Sequence, residues 1–332
     1  MIAWGPDVLG AGWQSATIPL GEEDDATGLG GPLVATLVRA TRAEPDADDG
    51  APGRPDQPAV LYVHGYNDYF FQTHLAAAWA EHCYTFYALD LRRSGRSYRP
   101  GQIPHFTTDL GEYTDELSAA ARLITGELGH GRLVVNAHST GGLVASLWLA
   151  QAEPDVLVDA LVLNSPWFDL NAGWFHRVVG TRLLDRAPVD PLLIVEDVPS
   201  PYSWHLHVDH GGRWRYDLAL KPPEGFPVRA GWLRAIRRGQ ARLAAGLDLP
   251  VPVLVCTAAA SGPNVWENER LEAQDTILDV AQIAARAPRL GRDVTLVQIA
   301  DGVHDLSLSA PKPRTAYFDA VFGWLATRSS TA

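Results

Sequence analysis

Short apolar runs recur along the chain: Ala59-Val60-Leu61-Tyr62-Val63, Leu133-Val134-Val135-Asn136-Ala137, Ala160 to Asn164, Val251 to Cys256 and Val294 to Ile299. Continuous runs of this length, without polar alternation, predict strands buried on both faces of a parallel sheet. Thr85 to Leu91 reads as a further strand, closed by an Arg/Ser/Gly-rich loop through Arg99. Between the strands the periodicity turns helical, over Phe71 to Glu81 and Thr140 to Gln151. Leu117, Ala120, Ile124 and Leu128 share one helical face that Gly129 stops, and Phe318, Val321, Phe322 and Leu325 share another near the carboxyl end. The alternation predicts an α/β fold with right-handed crossovers, a mostly parallel central sheet and helices on both faces.

Two stretches depart from that rhythm. Trp13 to Leu20 and Pro32 to Ala40 read as strands with no helix between them, which predicts an antiparallel amino-terminal edge, and Ala43 to Gln57 reads as a polar loop. Between Asp169 and Leu249 no clean buried strand occurs, yet Trp174, Phe175, Trp204, Trp214, Tyr216 and Trp232 accumulate. This predicts a cap over 170–249, inserted at the carboxyl edge of the sheet where open α/β folds bind ligands, and a core domain made of 1–169 and 250–332.

Composition narrows the function. The 332 residues are 46% hydrophobic, enough for a substantial core, and the formal charge of −12 with no Lys/Arg block argues against nucleic acid as a partner. Cys83 and Cys256 are far from any CxxC spacing, so neither a disulfide framework nor a thiolate metal site is expected. The opening Met1-Ile2-Ala3-Trp4-Gly5-Pro6-Asp7 has no basic stretch followed by an apolar core, and no apolar run reaches the roughly 18 residues of a membrane span. A soluble, cytoplasmic protein without stable membrane insertion is expected; the oligomeric state is not legible.

The most informative string is Asn136-Ala137-His138-Ser139-Thr140-Gly141-Gly142-Leu143, between a buried strand and a helix. A serine on so tight a strand-to-helix turn needs small neighbours, because larger side chains would collide with the reversing backbone, and Ala137 and Gly141 are small. Such a turn exposes the hydroxyl and aims the following backbone amides, at the positive end of a helix dipole, at whatever Ser139 attacks. On these residues the chain resembles the α/β-hydrolase family, in its cap-bearing branch of monoglyceride lipases, lysophospholipase-like esterases and serine aminopeptidases of the prolyl type. The resemblance spans roughly residues 30 to 328 and departs from G-x-S-x-G only at Ala137.

The resemblance implies an oxyanion hole formed by the backbone NH groups of Tyr66, in His64-Gly65-Tyr66-Asn67-Asp68, and of Thr140, with the His64 ring bracing its loop. It also implies a catalytic base after the last strand, which Ile299-Ala300-Asp301-Gly302-Val303-His304-Asp305 supplies as His304. The acid is expected beyond the preceding strand, where Glu267, Glu269, Glu272, Asp275 and Asp279 compete. Asp275, followed by Thr-Ile-Leu, resembles the family's Asp-x-(Val/Ile) signature, whereas Asp279 suits the cap of a helix beginning at Val280.

Weaker signals have plainer readings. His205-Leu206-His207-Val208-Asp209-His210 carries alternating imidazoles but no supporting partner, and is expected to be a polar cap strand rather than a metal site. Trp167, Phe168 and Trp174 are expected to wall a substrate pocket, and Asp90 is expected to pair with Arg92 in the loop after its strand. Arg234, Arg237 and Arg238 beside Trp232, Leu233 and Ile236 hint at a docking face, but a helix that packs its apolar side onto the core leaves none for a lipid surface.

Together these predict a serine hydrolase, independent of metal or organic cofactor, that cleaves small-molecule carboxylic esters of small to medium acyl chain through an acyl-enzyme on Ser139. A serine aminopeptidase or amidase of the prolyl type is the alternative, with Glu196, Asp197 and Glu224 as candidates to hold a substrate ammonium. A non-catalytic binding protein of the same fold is a third, though it has no need of the ordered motif set. An Asp at the elbow, as haloalkane dehalogenase or epoxide hydrolase chemistry demands, is absent.

Overall fold

The computed structural model describes residues 2–23, 31–41, 57–170, 189–197 and 199–329. Eleven strands are present among them: β1 (Gly5–Pro6), β2 (Trp13–Glu23), β3 (Gly31–Ala40), β4 (Ala59–Val63), β5 (Thr85–Asp90), β6 (Leu133–His138), β7 (Ala160–Asn164), β8 (Ile194–Glu196), β9 (Val228–Arg229), β10 (Val253–Ala258) and β11 (Val294–Ile299). Nine of them form one sheet in the order β1-β2-β3-β5-β4-β6-β7-β10-β11, and β8 pairs with β9 in a separate ribbon. The pairs from β5 through β11 are parallel, while β1, β2 and β3 form the expected antiparallel edge.

The continuous apolar runs do what their pattern requires. In β4, Ala59, Leu61 and Val63 enter one core layer while Val60 and Tyr62 enter the other, so neither face has room for a polar residue. The first layer is covered by α2 (Tyr113–Arg122) and α3 (Thr140–Leu149), through Leu117, Ala120, Leu143, Leu147 and Trp148. The second is covered by α1 (Thr73–Glu81) and α7 (Pro311–Ser329), through Leu75, Trp79, Tyr317, Val321 and Phe322. Helix α1 starts two residues later than the periodicity of Phe71 to Glu81 predicts: Gln72, with a non-helical ψ of 67°, caps it, its carbonyl accepting from the Leu75 and Ala76 amides.

Between β7 and β10 the chain leaves the sheet. Its described elements are β8, α4 (Pro201–Leu206), β9 and α5 (Ala230–Ala245). Only α5 reaches deep, burying Trp232, Ala235, Ile236 and Leu243 in the same layer as α3, which is how its Trp/Leu/Ile face is used. The histidine-rich string is not a strand: Ser200 caps a helix that opens with Pro201, and a 3-10 turn over Val208–His210 follows. Helical geometry removes the shared face that alternation implied, and His205 and His207 bond to the Pro201 and Tyr216 carbonyls instead. After α6 (Val280–Arg286) and β11 the chain closes on α7. None of the described helices is long and apolar enough to cross a membrane.

The sheet order explains where a ligand fits. From β4 the chain steps to β5 on one side and returns to β6 on the other, so the carboxyl ends of β4 and β6 flank the topological switch point.

Candidate active site

Ser139 sits between β6 and α3 with φ 53° and ψ −121°, a conformation that L-residues avoid and that persists only where the surroundings over-determine it. Four contacts do so. Its NH donates to the Asn164 carbonyl at 3.0 Å, and its carbonyl accepts from Gly142 and Trp167, each at 3.0 Å, and from Leu143 at 3.4 Å. Small neighbours are a steric necessity, as a Cβ on Gly141 would overlap the His64 carbonyl and lie 2.9 Å from that of Val63, while a Cβ on Gly65 would stand 3.0 Å from that of Ser139.

His304 follows β11 in the loop predicted for it. Its Nε2 lies 3.0 Å from Ser139 Oγ and its Nδ1 3.0 Å from Asp275 Oδ2, all three side chains being buried. Asp275 is aimed by its other oxygen: Oδ1 accepts from the Ile277 and Leu278 amides at 2.9 and 2.8 Å, leaving Oδ2 for the imidazole. A carboxylate on Nδ1 fixes the tautomer that presents an unprotonated Nε2 to the serine hydroxyl. Among the competitors for this place, Asp279 accepts from the Ala281 amide at 2.9 Å as the cap of α6, and Glu267, Glu269 and Glu272 are exposed.

Tyr66 and Thr140 border one cleft of about 250 Å³ at the switch point, with Gly65, Gly141 and Trp232. The amides of Gly142 and Leu143 turn back to Ser139, while those of Thr140 and Tyr66 have no backbone acceptor among the described residues. His64 braces this loop, accepting from the Leu91 amide at 3.0 Å and donating to the Gly65 carbonyl at 2.7 Å. A second cleft of about 360 Å³ is lined by Tyr202, Leu206, Trp214 and Val303, and neither cleft is lined by Ser139, His304 or Asp275. The smaller cleft is the one that reaches Thr140 and Gly141, the two residues that follow Ser139.

The predicted pocket walls fare unevenly. Trp167 is half-buried with its ring 5.6 Å from that of Trp232, whereas Phe168 is fully buried in the core layer, and Trp174 lies outside the described residues. The aromatics that line the cleft beside Thr140 are Tyr66, His105, Tyr113 and Trp232. Tyr66 packs against Trp232 with ring centroids 4.2 Å apart and the planes tilted by 39°, and burial pushes its hydroxyl well above the ordinary tyrosine range. The His105 ring is held well below the ordinary histidine range, by burial first and by His64 second. No apolar periodicity marks His105, which is why a reading of runs and motifs passes over it.

The expected pairing of Asp90 with Arg92 is replaced by another. Asp90 takes Arg96 at 2.8 Å, and Arg96 also holds Asp7 at 2.7 Å, because the 3-10 turn Gly95–Ser97 folds Arg96 back over the end of β5. Arg92 points the other way, onto Glu116 of α2 at 2.6 Å.

Known proteins agree with this architecture. A profile of the family described as serine aminopeptidase, S33 matches residues 54–307, well over half of the chain. Epoxide hydrolase 1 of Caenorhabditis elegans is 28% identical over 115 residues, 34% of this chain and 26% of that protein. Epoxide hydrolase 4 of Mus musculus is 28% identical over 138 residues, 42% and 34% of the two chains. The match thus spans about a quarter to a third of the length of these curated relatives. Among solved structures, the monoacylglycerol lipase of Paleococcus ferrophilus has a TM-score of 0.61 at 18% identity, covering 82% of this chain and 96% of that one. A soluble variant of the monoglyceride lipase of Saccharomyces cerevisiae, in complex with a substrate analogue, has a TM-score of 0.57 at 16% identity, covering 93% and 96%. These likenesses are of fold, and the family match rests on the sequence that runs through both elbow and histidine loop. The chain belongs to the serine aminopeptidase (S33) family, an α/β-hydrolase of the monoglyceride lipase and serine aminopeptidase-like branch.

Proposed function

We propose that the protein is a serine hydrolase of carboxylic esters with small to medium acyl chains. The observation that carries this reading is the placement of His304, 3.0 Å from Ser139 Oγ and 3.0 Å from Asp275 Oδ2. His304 takes the Ser139 proton as Oγ attacks the acyl carbon, Asp275 stabilises the imidazolium, and the imidazolium returns the proton to the departing alcohol. The Tyr66 and Thr140 amides hold the tetrahedral oxyanion, each donor lowering the barrier by about 3 kcal/mol. Water then enters by the same steps in reverse order and frees the acid. The segment 170–249 serves as the cap over this site, with Trp232 and Trp167 closing the acyl side.

The likeness to epoxide hydrolases does not carry over to the elbow nucleophile. Ring opening from a strand-to-helix elbow calls for a carboxylate nucleophile, and the side chain here is Ser139. One observation favours an aminopeptidase as the second reading: Glu196 and Asp197 lie near enough to Tyr66 to act on its hydroxyl, as a site for a substrate ammonium would need. Arg229 stands at the same place with the opposite sign, which weakens such a site.

Fluorophosphonate labelling should modify Ser139, and Ser139→Ala should abolish labelling while lowering ester turnover by about 10⁴- to 10⁶-fold. A p-nitrophenyl series from acetate to palmitate, beside aminoacyl p-nitroanilides, ranks the readings. Full activity in Ser139→Ala removes the serine mechanism, faster anilide than ester turnover selects the aminopeptidase, and activity confined to emulsified long chains makes the protein a lipase.

A further inference from the structure

Three residues that neighbour the proposed machinery meet in one buried place. His138 precedes Ser139, Asp305 follows His304, and Asp68 lies two residues beyond Tyr66; their polar atoms stand within 4.8 Å of one another. Asp305 is heavily bonded, its Oδ1 accepting from Asn164 Nδ2 at 2.7 Å and from Ser307 Oγ at 2.7 Å. His138 Nδ1 lies 3.1 Å from the Asn164 carbonyl, and the His138 and His304 rings are 4.8 Å apart. The cation of this node comes from the insertion: Lys221 Nζ donates to Asp68 Oδ1 at 2.7 Å, with the lysine 8% and the aspartate 2% exposed. Lys221 is one of only two lysines in an otherwise arginine-dominated sequence.

The same loop grips the insertion twice more. Asn67 Nδ2 donates to the Pro222 carbonyl at 3.3 Å, and the Tyr66 hydroxyl lies 3.1 Å from each of the Phe226 and Pro227 carbonyls. Three consecutive residues, one of which offers its NH to the oxyanion, therefore hold residues 221–227.

We propose that Lys221 is a positioning residue, through which the seated insertion fixes the 65–68 loop against the nucleophile and the base. The inference rests on the ester-hydrolase reading. Without the ammonium, two buried carboxylates face each other across a histidine that burial keeps neutral, and repulsion is relieved by moving the loop that carries Asp68. The Tyr66 NH moves with it, and a displacement of even 1 Å at a reacting centre slows the step by up to about 100-fold. The insertion thereby contributes to turnover as well as to substrate choice.

Steady-state kinetics on p-nitrophenyl butyrate, with thermal melting to count folded protein, tests this in three chains. In Lys221→Met, kcat per folded molecule should fall about 10- to 100-fold with KM within about threefold, the split expected when the transition state loses a donor and the ground state does not. In Tyr66→Phe, which keeps the NH and the ring but releases the Phe226 and Pro227 carbonyls, kcat should fall about 3- to 10-fold by the same argument, and this variant carries the test alone where Lys221→Met does not fold. Unchanged kcat per folded molecule in either variant overturns the inference, as does a loss seen only in KM. A parent chain with no ester turnover is a distinct result, since it overturns the ester-hydrolase reading and the inference with it.

Discussion

The sheet and the insertion above it are held by different physics. β4, β6, β7 and β10 are buried from end to end, and their side chains alternate between two apolar layers. In the insertion, β8 has three residues, β9 two and α4 six, and of its described elements only α5, with 16, joins the main layer. The rest is held by a small apolar cluster of Tyr202, Leu206 and Tyr216 against Tyr69, Phe71, Val303 and Leu308, and by directional contacts such as Lys221 to Asp68 and Tyr66 to Phe226. Burial is non-directional and additive over many residues, so the strands of the sheet depend on no one contact for their place. A directional tie exists only while both partners are in place.

The largest expected effect lies on the sheet side. Asp275→Asn should lower ester turnover by about 10⁴-fold, since an amide cannot stabilise the imidazolium and favours the wrong tautomer. Asp279→Asn should leave the rate near that of the parent, because Asn caps a helix nearly as well as Asp. Equal losses would break the assignment of the acid. Next comes the elbow: Gly141→Ala drives a methyl into the His64 carbonyl, and denaturant unfolding should show a destabilisation of about 1 to 3 kcal/mol together with lost turnover. A neutral result would mean that the elbow is softer than the sheet it belongs to.

Protons probe the sheet side, where the three histidines shifted by burial lie. Burial holds His74, His105 and His138 below the ordinary histidine value of 6.5. Below that pH the unfolded chain binds protons that the folded chain refuses, so stability rises with pH through this window and is lost as pH falls below 6.5. Melting temperatures between about pH 8 and 5 should drop on the acid side, and His105→Asn should flatten the slope; a flat parent profile would contradict it. The smallest effect belongs to Arg213–Glu272, an exposed tie of 3.4 Å from the insertion to the loop after β10, where Glu272→Gln should change stability by less than about 0.5 kcal/mol in urea unfolding. A larger value would place the insertion's anchorage at its rim rather than at Lys221.

Much of the candidate site was legible because its signals are local. The His64-Gly65 and His138-Ser139 turns each end an apolar run, and the reversal after β6 demands small residues that are visible in the string itself. The acid was less so, since the loop after β10 holds five carboxylates whose spacing alone does not say which turns inward. Two backbone amides turn Asp275 inward onto His304, and backbone hydrogen bonds of an irregular loop leave no periodic trace. For the same reason Arg96 replaced Arg92 as the partner of Asp90, and the alternating histidines became a helix and a turn once Ser200 and Pro201 started one.

Alternating apolar runs and helical stripes by themselves determined a mostly parallel sheet with an antiparallel edge, because each strand and helix must bury its own face wherever it lies. They likewise determined which turns present a serine and a histidine, since strand ends in such a sheet collect at one edge. Only the tertiary structure decided which carboxylate meets His304, which arginine meets Asp90, and that Lys221 closes a node with Asp68, His138 and Asp305. Those choices join residues as far apart as 153 positions through directional hydrogen bonds and charge, and such pairings depend on where loops come to rest rather than on any pattern along the chain.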